Sequence, residues 1–266
     1  MLNEPASSPY DLSFSFLGFP VRVAWGFWVV AAILGWSWSQ SVDAAAVLFQ
    51  IDSPGPAVLL VVWIGCVFVS ILIHELGHAL AMRYYGLHSR IVLYHFGGLA
   101  ISDSFGSWNG ARSGRVEPRE QIVISLAGPV AQLLLALSVW ILGISLGVYM
   151  DETRLVNRLL GTHLGATELP SSIAIYAVFS GLLMPSFYWA ILNLAPILPL
   201  DGGQILHNAL YVARNDRPTY TAHLVSVVTG AAIGLWSLSS NQFGGFMFLA
   251  LAASNWQAMQ YGGRGF

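Results

Sequence analysis

Six long apolar runs constrain the fold of this chain more than any other feature of its sequence. Each run has about the 20 residues that an α-helix needs to cross a bilayer. Only 9% of the 266 residues are charged, whereas soluble domains contain about 25%. The runs lie at 21–39, 56–83, 121–149, 172–195, 219–239 and 243–260. We therefore predict an all-α polytopic protein with six transmembrane helices, embedded in a lipid bilayer.

The charged residues exclude one class of partner and predict the orientation in the membrane. The net charge is −2 and the chain has no basic run, so no nucleic-acid partner is expected. All basic residues are arginines. If the N-terminus is cytoplasmic, nine arginines lie inside and only Arg154 and Arg158 lie outside, as the positive-inside rule requires. Both termini are therefore expected in the cytoplasm.

The second apolar run contains the charged pentapeptide His74-Glu75-Leu76-Gly77-His78. On a helix, imidazoles at i and i+4 project from one face and can bind one zinc ion, while the glutamate between them can act as a general base. Ionisable groups at membrane depth cost about 2.5–3.5 kcal/mol each, so they usually mark functional sites. A buried polar network between helices is the alternative. The motif should lie near the cytoplasmic end of its span.

A third metal ligand is needed, because catalytic zinc usually has three protein ligands and an open position for water. Among the 13 acidic residues, only Glu75 and Asp201 fall within a predicted span or at its break. Asp201 is therefore the leading candidate, although an aspartate there could instead cap a helix. The histidine alternatives are His95, His207 and His223; the last two are more often interhelical hydrogen-bond partners.

The fourth apolar run is interrupted by Pro196 and Pro199 and followed by a short helical stretch at 203–213. A broken helix at membrane depth survives only where protein or a water-filled cavity satisfies the freed backbone groups. The prolines therefore predict a cavity beside Asp201.

The connection between the second and third runs predicts a small membrane-associated β-hairpin. Residues 91–96 and 99–101 are expected to form two strands around a turn at Gly97-Gly98. An extended substrate could bind its exposed edge by strand pairing, or the hairpin could only cap the bundle. Residues 103–119 are rich in Gly, Ser and Asn, which indicates a loop.

The chain resembles the site-2 protease family of intramembrane zinc metalloproteases through three motifs. These are the pentapeptide at 74–78, the segment 193–202 with the pattern N-x-x-P-x-x-x-x-D-G, and Ala127-Gly128-Pro129. The resemblance extends over about residues 56–213. One departure is Gln132, where family members often carry asparagine; the shared amide keeps hydrogen bonding possible.

The resemblance implies one Zn²⁺ per chain, held by His74, His78 and Asp201, with Glu75 as catalytic acid/base. Asn193 would donate to the substrate carbonyl or the oxyanion, or would only tie down the broken helix. The implied substrate is the transmembrane segment of another membrane protein, cleaved as part of regulated intramembrane proteolysis. The whole chain, 1–266, would be one protease domain with its core at 56–213 and peripheral spans at 21–39, 219–239 and 243–260.

Family members differ in how they select substrates, and some carry PDZ or CBS domains. This sequence contains neither, so we expect selection by the bundle, the hairpin or a separate adaptor or regulatory membrane protein. The first, fifth and sixth spans are candidates to move as a gate. The expected location is a bacterial or archaeal cell membrane, with the active-site end in the cytoplasm.

Two rival functions remain for the same residues. A catalytically inactive or metal-transporting membrane protein could use the same metal site, although a pseudoprotease would be expected to lose Glu75 or a ligand. A zinc protease of another membrane family would take its third ligand from a glutamate on a later helix, and no predicted later span contains one.

Overall fold

The protein is seen in a computed structural model that describes residues 6–94, 97–102, 116–163, 165, 172–239 and 244–262. These residues form a helical bundle with a small sheet at one end. The helices are α1 (Trp25–Leu48), α2 (Pro56–Tyr84), α3 (Pro118–Ser145), α4 (Asp151–Leu160), α5 (Ile173–Asn193), α6 (Asp201–Val212), α7 (Pro218–Ser239) and α8 (Gly245–Gly262). The strands are β1 (Leu12–Phe16), β2 (Phe19–Val23), β3 (Ser89–Tyr94) and β4 (Gly97–Ser102).

Within the described residues, four helices are long and apolar enough to cross a membrane: α2, α3, α5 and α7. The first and sixth predicted spans also form helices, α1 and α8. Both helices contain polar residues that lower their mean hydropathy, among them Gln40 and Asp43 in α1 and Asn255 and Gln257 in α8. The assignment of six transmembrane helices therefore stays a prediction.

Helix α2 buries polar and ionisable side chains together with apolar ones, and it leaves other apolar side chains exposed. Ser70, His74 and Glu75 are buried, whereas Val61 and Leu80 are exposed. Exposed apolar side chains are expected where lipid surrounds a helix, and ionisable groups must then turn towards the interior of the bundle. Close packing supports it: Gly77 lies against the backbone carbonyl of Ala127, which leaves no room for a side chain.

The sheet is larger than the predicted hairpin and begins earlier in the chain. Its order is β1-β2-β3-β4; β1 pairs with β2 and β3 with β4 in antiparallel fashion, whereas β2 and β3 are parallel. The first apolar run was therefore predicted to become helical too early, because residues 19–23 form β2 and α1 begins only at Trp25. The long connection through α1 and α2 allows the parallel pairing.

The predicted turn at Gly97-Gly98 is wrong. Both glycines lie in β4, where Gly97 pairs with Tyr94 and Gly98 with Leu93. The residues that connect the strands, 95 and 96, lie outside the described residues, as does His95. Most of the predicted loop, 103–115, also lies outside them, and its last residues already belong to α3. That helix begins at Pro118, with a reciprocal capping box between Glu117 and Glu120.

The fourth apolar run is broken where the prolines predict it. Helix α5 ends at Asn193 and α6 begins at Asp201, two residues earlier than expected. The connection 194–200 carries both prolines and returns the chain towards α2 and α3. This arrangement places the N-terminus of α6 opposite the histidines of α2.

Candidate metal centre and active-site cavity

His74 and His78 lie one turn apart on α2 and face the interior of the bundle. Their Nε2 atoms are 3.1 Å apart, and both side chains are buried. Potential ligand atoms of His74, Glu75 and His78 all lie within 4.8 Å of one another. The helical i, i+4 spacing is the local reason for this geometry.

Asp201 completes a triangle of donor atoms with the two imidazoles. Its Oδ2 lies 3.1 Å from His74 Nε2, and its Oδ1 lies 3.4 Å from His78 Nε2. Ligands of a tetrahedral zinc ion, at bonds of about 2.0–2.1 Å, are about 3.3 Å apart. The two imidazole nitrogens and the Asp201 carboxylate, whose two oxygens each face one imidazole, have the ligand types and about the spacing that Zn²⁺ takes.

Asp201 does not act as a helix cap. The N-cap of α6 is Leu200, which makes no side-chain capping bond, and Asp201 is the first helical residue. Its carboxylate contacts the imidazoles instead. Gly202 and Gly203 follow it and pack against backbone atoms of Leu194 and Ile197, so a side chain at either position would force α6 and the connection 194–200 apart.

Hydrogen bonds on the far side of each imidazole fix its orientation. His78 Nδ1 donates to the carbonyl of Ile124 at 2.7 Å, because a carbonyl can only accept. Gln132 Nε2 donates to Ser70 Oγ at 2.8 Å, which leaves Gln132 Oε1 to accept from His74 Nδ1 at 2.9 Å. Both Nε2 lone pairs are then free for a metal, the usual arrangement for ligating histidines.

The hydrogen-bond network behind His74 includes more residues than the sequence predicted. Ser186 Oγ on α5 donates to Ser70 Oγ at 2.9 Å, so α2, α3 and α5 all contribute. Gln132, which stands where members of the resembled family often carry asparagine, therefore uses its side-chain amide to contact His74. Ser70 was missed, although its position four residues before His74 puts it on the same helical face.

Glu75 is buried beside the two histidines and covered by strand β4. Gly98 packs directly against its side chain: a Cβ at that position would overlap Cγ, Cδ and Oε1 of Glu75. The backbone of Ala100 contributes a hydrogen bond to the carboxylate. A glycine is therefore required at Gly98 by close approach rather than by turn geometry.

The four polar residues open onto a cavity of about 750 Å³ between the sheet and the helices. Its wall includes Asn193 at the end of α5 and both Gly97 and Gly98 on β4. Apolar side chains of Trp189, Leu192, Met247 and Phe248 line other parts of the wall. All residues predicted to bind substrate therefore share one cavity with Glu75.

Two of the three alternative histidine ligands, His207 and His223, lie within the described residues, and both have other hydrogen-bond partners. His207 lines the cavity but its Nε2 bonds Thr219 Oγ1 of α7 at 3.2 Å. His223 Nδ1 donates to Asn255 Oδ1 of α8 at 2.7 Å. Both make interhelical contacts, as expected from their positions on apolar helices.

Comparison with known proteins points to one family of peptidases. A family model described as peptidase family M50 matches residues 62–237. The putative zinc metalloprotease sll0528 of Synechocystis sp. is 26% identical over 198 residues, 74% of this chain and 43% of that protein. The putative zinc metalloprotease Rip3 of Mycobacterium tuberculosis is 27% identical over 206 residues, 75% of this chain and 43% of that protein.

A third relative and one solved structure extend the comparison. Stage IV sporulation protein FB of Bacillus subtilis is 26% identical over 179 residues, 65% of this chain and 49% of that protein. The chain thus spans less than half of the length of these curated relatives. A site-2 protease from Methanocaldococcus jannaschii has the same fold, with a TM-score of 0.51, 19% identity, and coverage of 94% of this chain and 95% of that one.

The family match includes the most specific features of the sequence. It contains the pentapeptide of α2, whose potential ligand group has the pattern of the zinc site of that family. It also contains the connection that carries Asp201. Because the match covers well over half of the chain, the protein belongs to peptidase family M50, the site-2 protease family.

Proposed function

We propose that this protein is an intramembrane zinc metalloendopeptidase that hydrolyses a peptide bond in or near the transmembrane segment of another membrane protein. The observation that carries the proposal is the triangle of donor atoms on α2 and α6, with Glu75 beside it, inside a cavity between apolar helices. The names of two relatives, both putative zinc metalloproteases, support it.

His74, His78 and Asp201 are the proposed zinc ligands. A zinc ion held there supplies Lewis acidity, which lowers the pKa of a bound water towards about 7. Gln132 and the carbonyl of Ile124 keep both imidazoles in the tautomer that binds metal through Nε2. These three side chains line the cavity and would hold the ion where water and substrate can reach it.

Glu75 is the proposed acid/base. It accepts the proton of the attacking water and later gives that proton to the leaving amine, so that one carboxylate serves both steps. The cover of β4 over Glu75 limits the access of other water. Asn193, which lines the same cavity, is proposed to donate a hydrogen bond to the scissile carbonyl and the oxyanion. Its alternative role is to hold the end of α5.

Strand β4 is the proposed docking edge for the substrate. It lies at one end of the sheet order, with β1 at the other, and Gly97 and Gly98 border the cavity. A segment of substrate unwound from its helix can add to this edge through backbone hydrogen bonds. Such pairing would hold the scissile bond extended beside Glu75.

The proposed topology has six spans, with both termini and the active-site end in the cytoplasm. It rests on the nine cytoplasmic arginines against Arg154 and Arg158, and on α1 and α8 as the first and sixth spans. Movement of α1, α7 or α8 would admit substrate, and an adaptor protein could control that step. A bacterial or archaeal cell membrane is the proposed location, in line with the organisms of its relatives.

Glu75→Gln provides the direct test. The variant should bind zinc stoichiometrically but lose cleavage of a detergent-solubilised transmembrane peptide, because only the proton acceptor is removed. Asp201→Ala should instead lower the zinc content, and a chelator should stop cleavage by the unaltered protein. Full activity of Glu75→Gln would refute the mechanism. Zinc binding without cleavage of any membrane substrate, combined with metal flux in proteoliposomes, would favour a metal transporter.

A further inference from the structure

The connection 194–200, which leads directly into Asp201, is attached to two helices outside the metal centre. The backbone N–H of Leu198 donates to Ser226 Oγ of α7 at 2.9 Å. The backbone carbonyl of Leu198 accepts from Asn255 Nδ2 of α8 at 2.7 Å. Both backbone groups of one residue are therefore bound by side chains from two different helices.

The two side chains are buried, and all of their hydrogen-bonding groups have partners. Ser226 and Asn255 are 0% and 3% exposed. Ser226 Oγ also donates to the carbonyl of Ala222 at 2.7 Å. Asn255 Nδ2 also donates to the carbonyl of Leu251 at 2.8 Å, and Asn255 Oδ1 accepts from His223. A fully satisfied buried network of this kind holds one orientation.

Polar side chains on apolar helices need a reason, because each costs free energy to bury. Here the reason is Leu198: other residues of the connection 194–200 make backbone hydrogen bonds within it or to α5, whereas the N–H and carbonyl of Leu198 are bound by Ser226 and Asn255. Leu198 precedes Asp201 by only three residues, and Pro199 between them restricts the backbone. The neighbouring Ile197 is fully buried and bounds the space beside Gly203. A displacement of the Leu198 backbone should therefore also displace Asp201.

We propose that Ser226 and Asn255, with His223 orienting the Asn255 amide, are positioning residues that hold the Asp201 carboxylate at the metal centre. The inference rests on the proposed zinc site and extends it to side chains outside the metal centre; Ser226 and His223 lie within the family match, whereas Asn255 lies beyond it. Helix α8 lies beyond the matched residues 62–237. Helix α8 thus helps to position a proposed ligand that is located on α6.

The test measures zinc affinity of the full-length protein in detergent, by competition with a chromogenic chelator. Asn255→Leu keeps the side-chain volume and removes the donor to Leu198; Ser226→Ala removes the acceptor. Each should weaken zinc binding by up to about 10-fold, the lower end of what loss of a group bonded directly to a ligand costs, because both side chains act on Asp201 through Leu198. Ser226→Thr, which keeps the hydroxyl group, should retain the affinity of the unaltered protein. Ser237→Ala, another buried serine on α7, is the matched control and should not change it.

A double-mutant comparison separates positioning from general damage to the fold. If Asn255 acts through Asp201, then Asn255→Leu should have no further effect on zinc affinity in an Asp201→Ala background. Amide hydrogen exchange of the metal-free protein should also become faster over residues 197–203 in Asn255→Leu. Equal loss of affinity in both backgrounds, or unchanged affinity and exchange in both single variants, would overturn the proposal.

These measurements do not depend on catalysis. If the unaltered protein binds zinc but cleaves no substrate, the protease assignment fails, while weaker zinc binding by Asn255→Leu still supports the positioning role. If cleavage is seen and the variants bind zinc normally, the protease assignment stands and the positioning role is refuted.

Discussion

Gly98→Ala should separate catalysis from metal binding with a single methyl group. The added Cβ would lie 2.5 Å from Glu75 Cδ and closer still to Cγ and Oε1. Ordinary contact between carbon atoms needs about 3.5 Å, so the strand or the carboxylate must move by about 1 Å. A displacement of about 1 Å in a catalytic group can lower the rate by about 100-fold. Zinc affinity should stay unchanged, because Glu75 is not one of the proposed ligands.

The assay compares cleavage of a fluorescent transmembrane peptide with zinc content measured on the same purified sample. Gly65→Ala is the matched control: it makes the same change on α2, where an added Cβ meets nothing within 4 Å. It should cleave at the normal rate. Gly98→Ala with normal cleavage would refute the packing of β4 on Glu75. Loss of zinc together with activity would show that the strand acts through the ligands instead.

Three further predictions concern the ligands and the topology. Gly128→Ala should lower zinc content, unlike Gly98→Ala, because its Cβ would overlap His78 Nε2; metal analysis checks this. Gln132→Leu should weaken zinc binding about 10- to 100-fold by freeing His74 from its orienting bond, and normal chelator competition would contradict it. The topology can be tested in a Cys66→Ser background with an impermeant thiol reagent added outside intact cells. Arg154→Cys should react with the reagent, whereas Arg217→Cys should not. The reverse pattern would show that the proposed orientation is wrong.

Much of the site was accessible from the sequence because its signals are local. The i, i+4 histidines follow from the helical period, and the break before Asp201 follows from Pro196 and Pro199. The strand region was located, but its turn was misplaced. A Gly-Gly pair usually indicates a turn, yet glycine is equally required where two groups approach closely, and sequence does not distinguish these causes. The parallel pairing of β2 with β3 was also missed, because residues 19–23 and 89–94 are far apart in the chain.

The sequence by itself determined which groups are available: apolar runs for the bilayer, two histidines and a glutamate on one helical face, and an aspartate after a helix break. Only the tertiary structure decided which groups meet. It brought Asp201 within 3.4 Å of both imidazoles, placed Gln132 behind His74, and attached the Asp201 connection to Ser226 and Asn255. The physical reason is that spacing along one helix is set by backbone geometry, whereas contacts between helices depend on how whole surfaces pack, which no short pattern encodes.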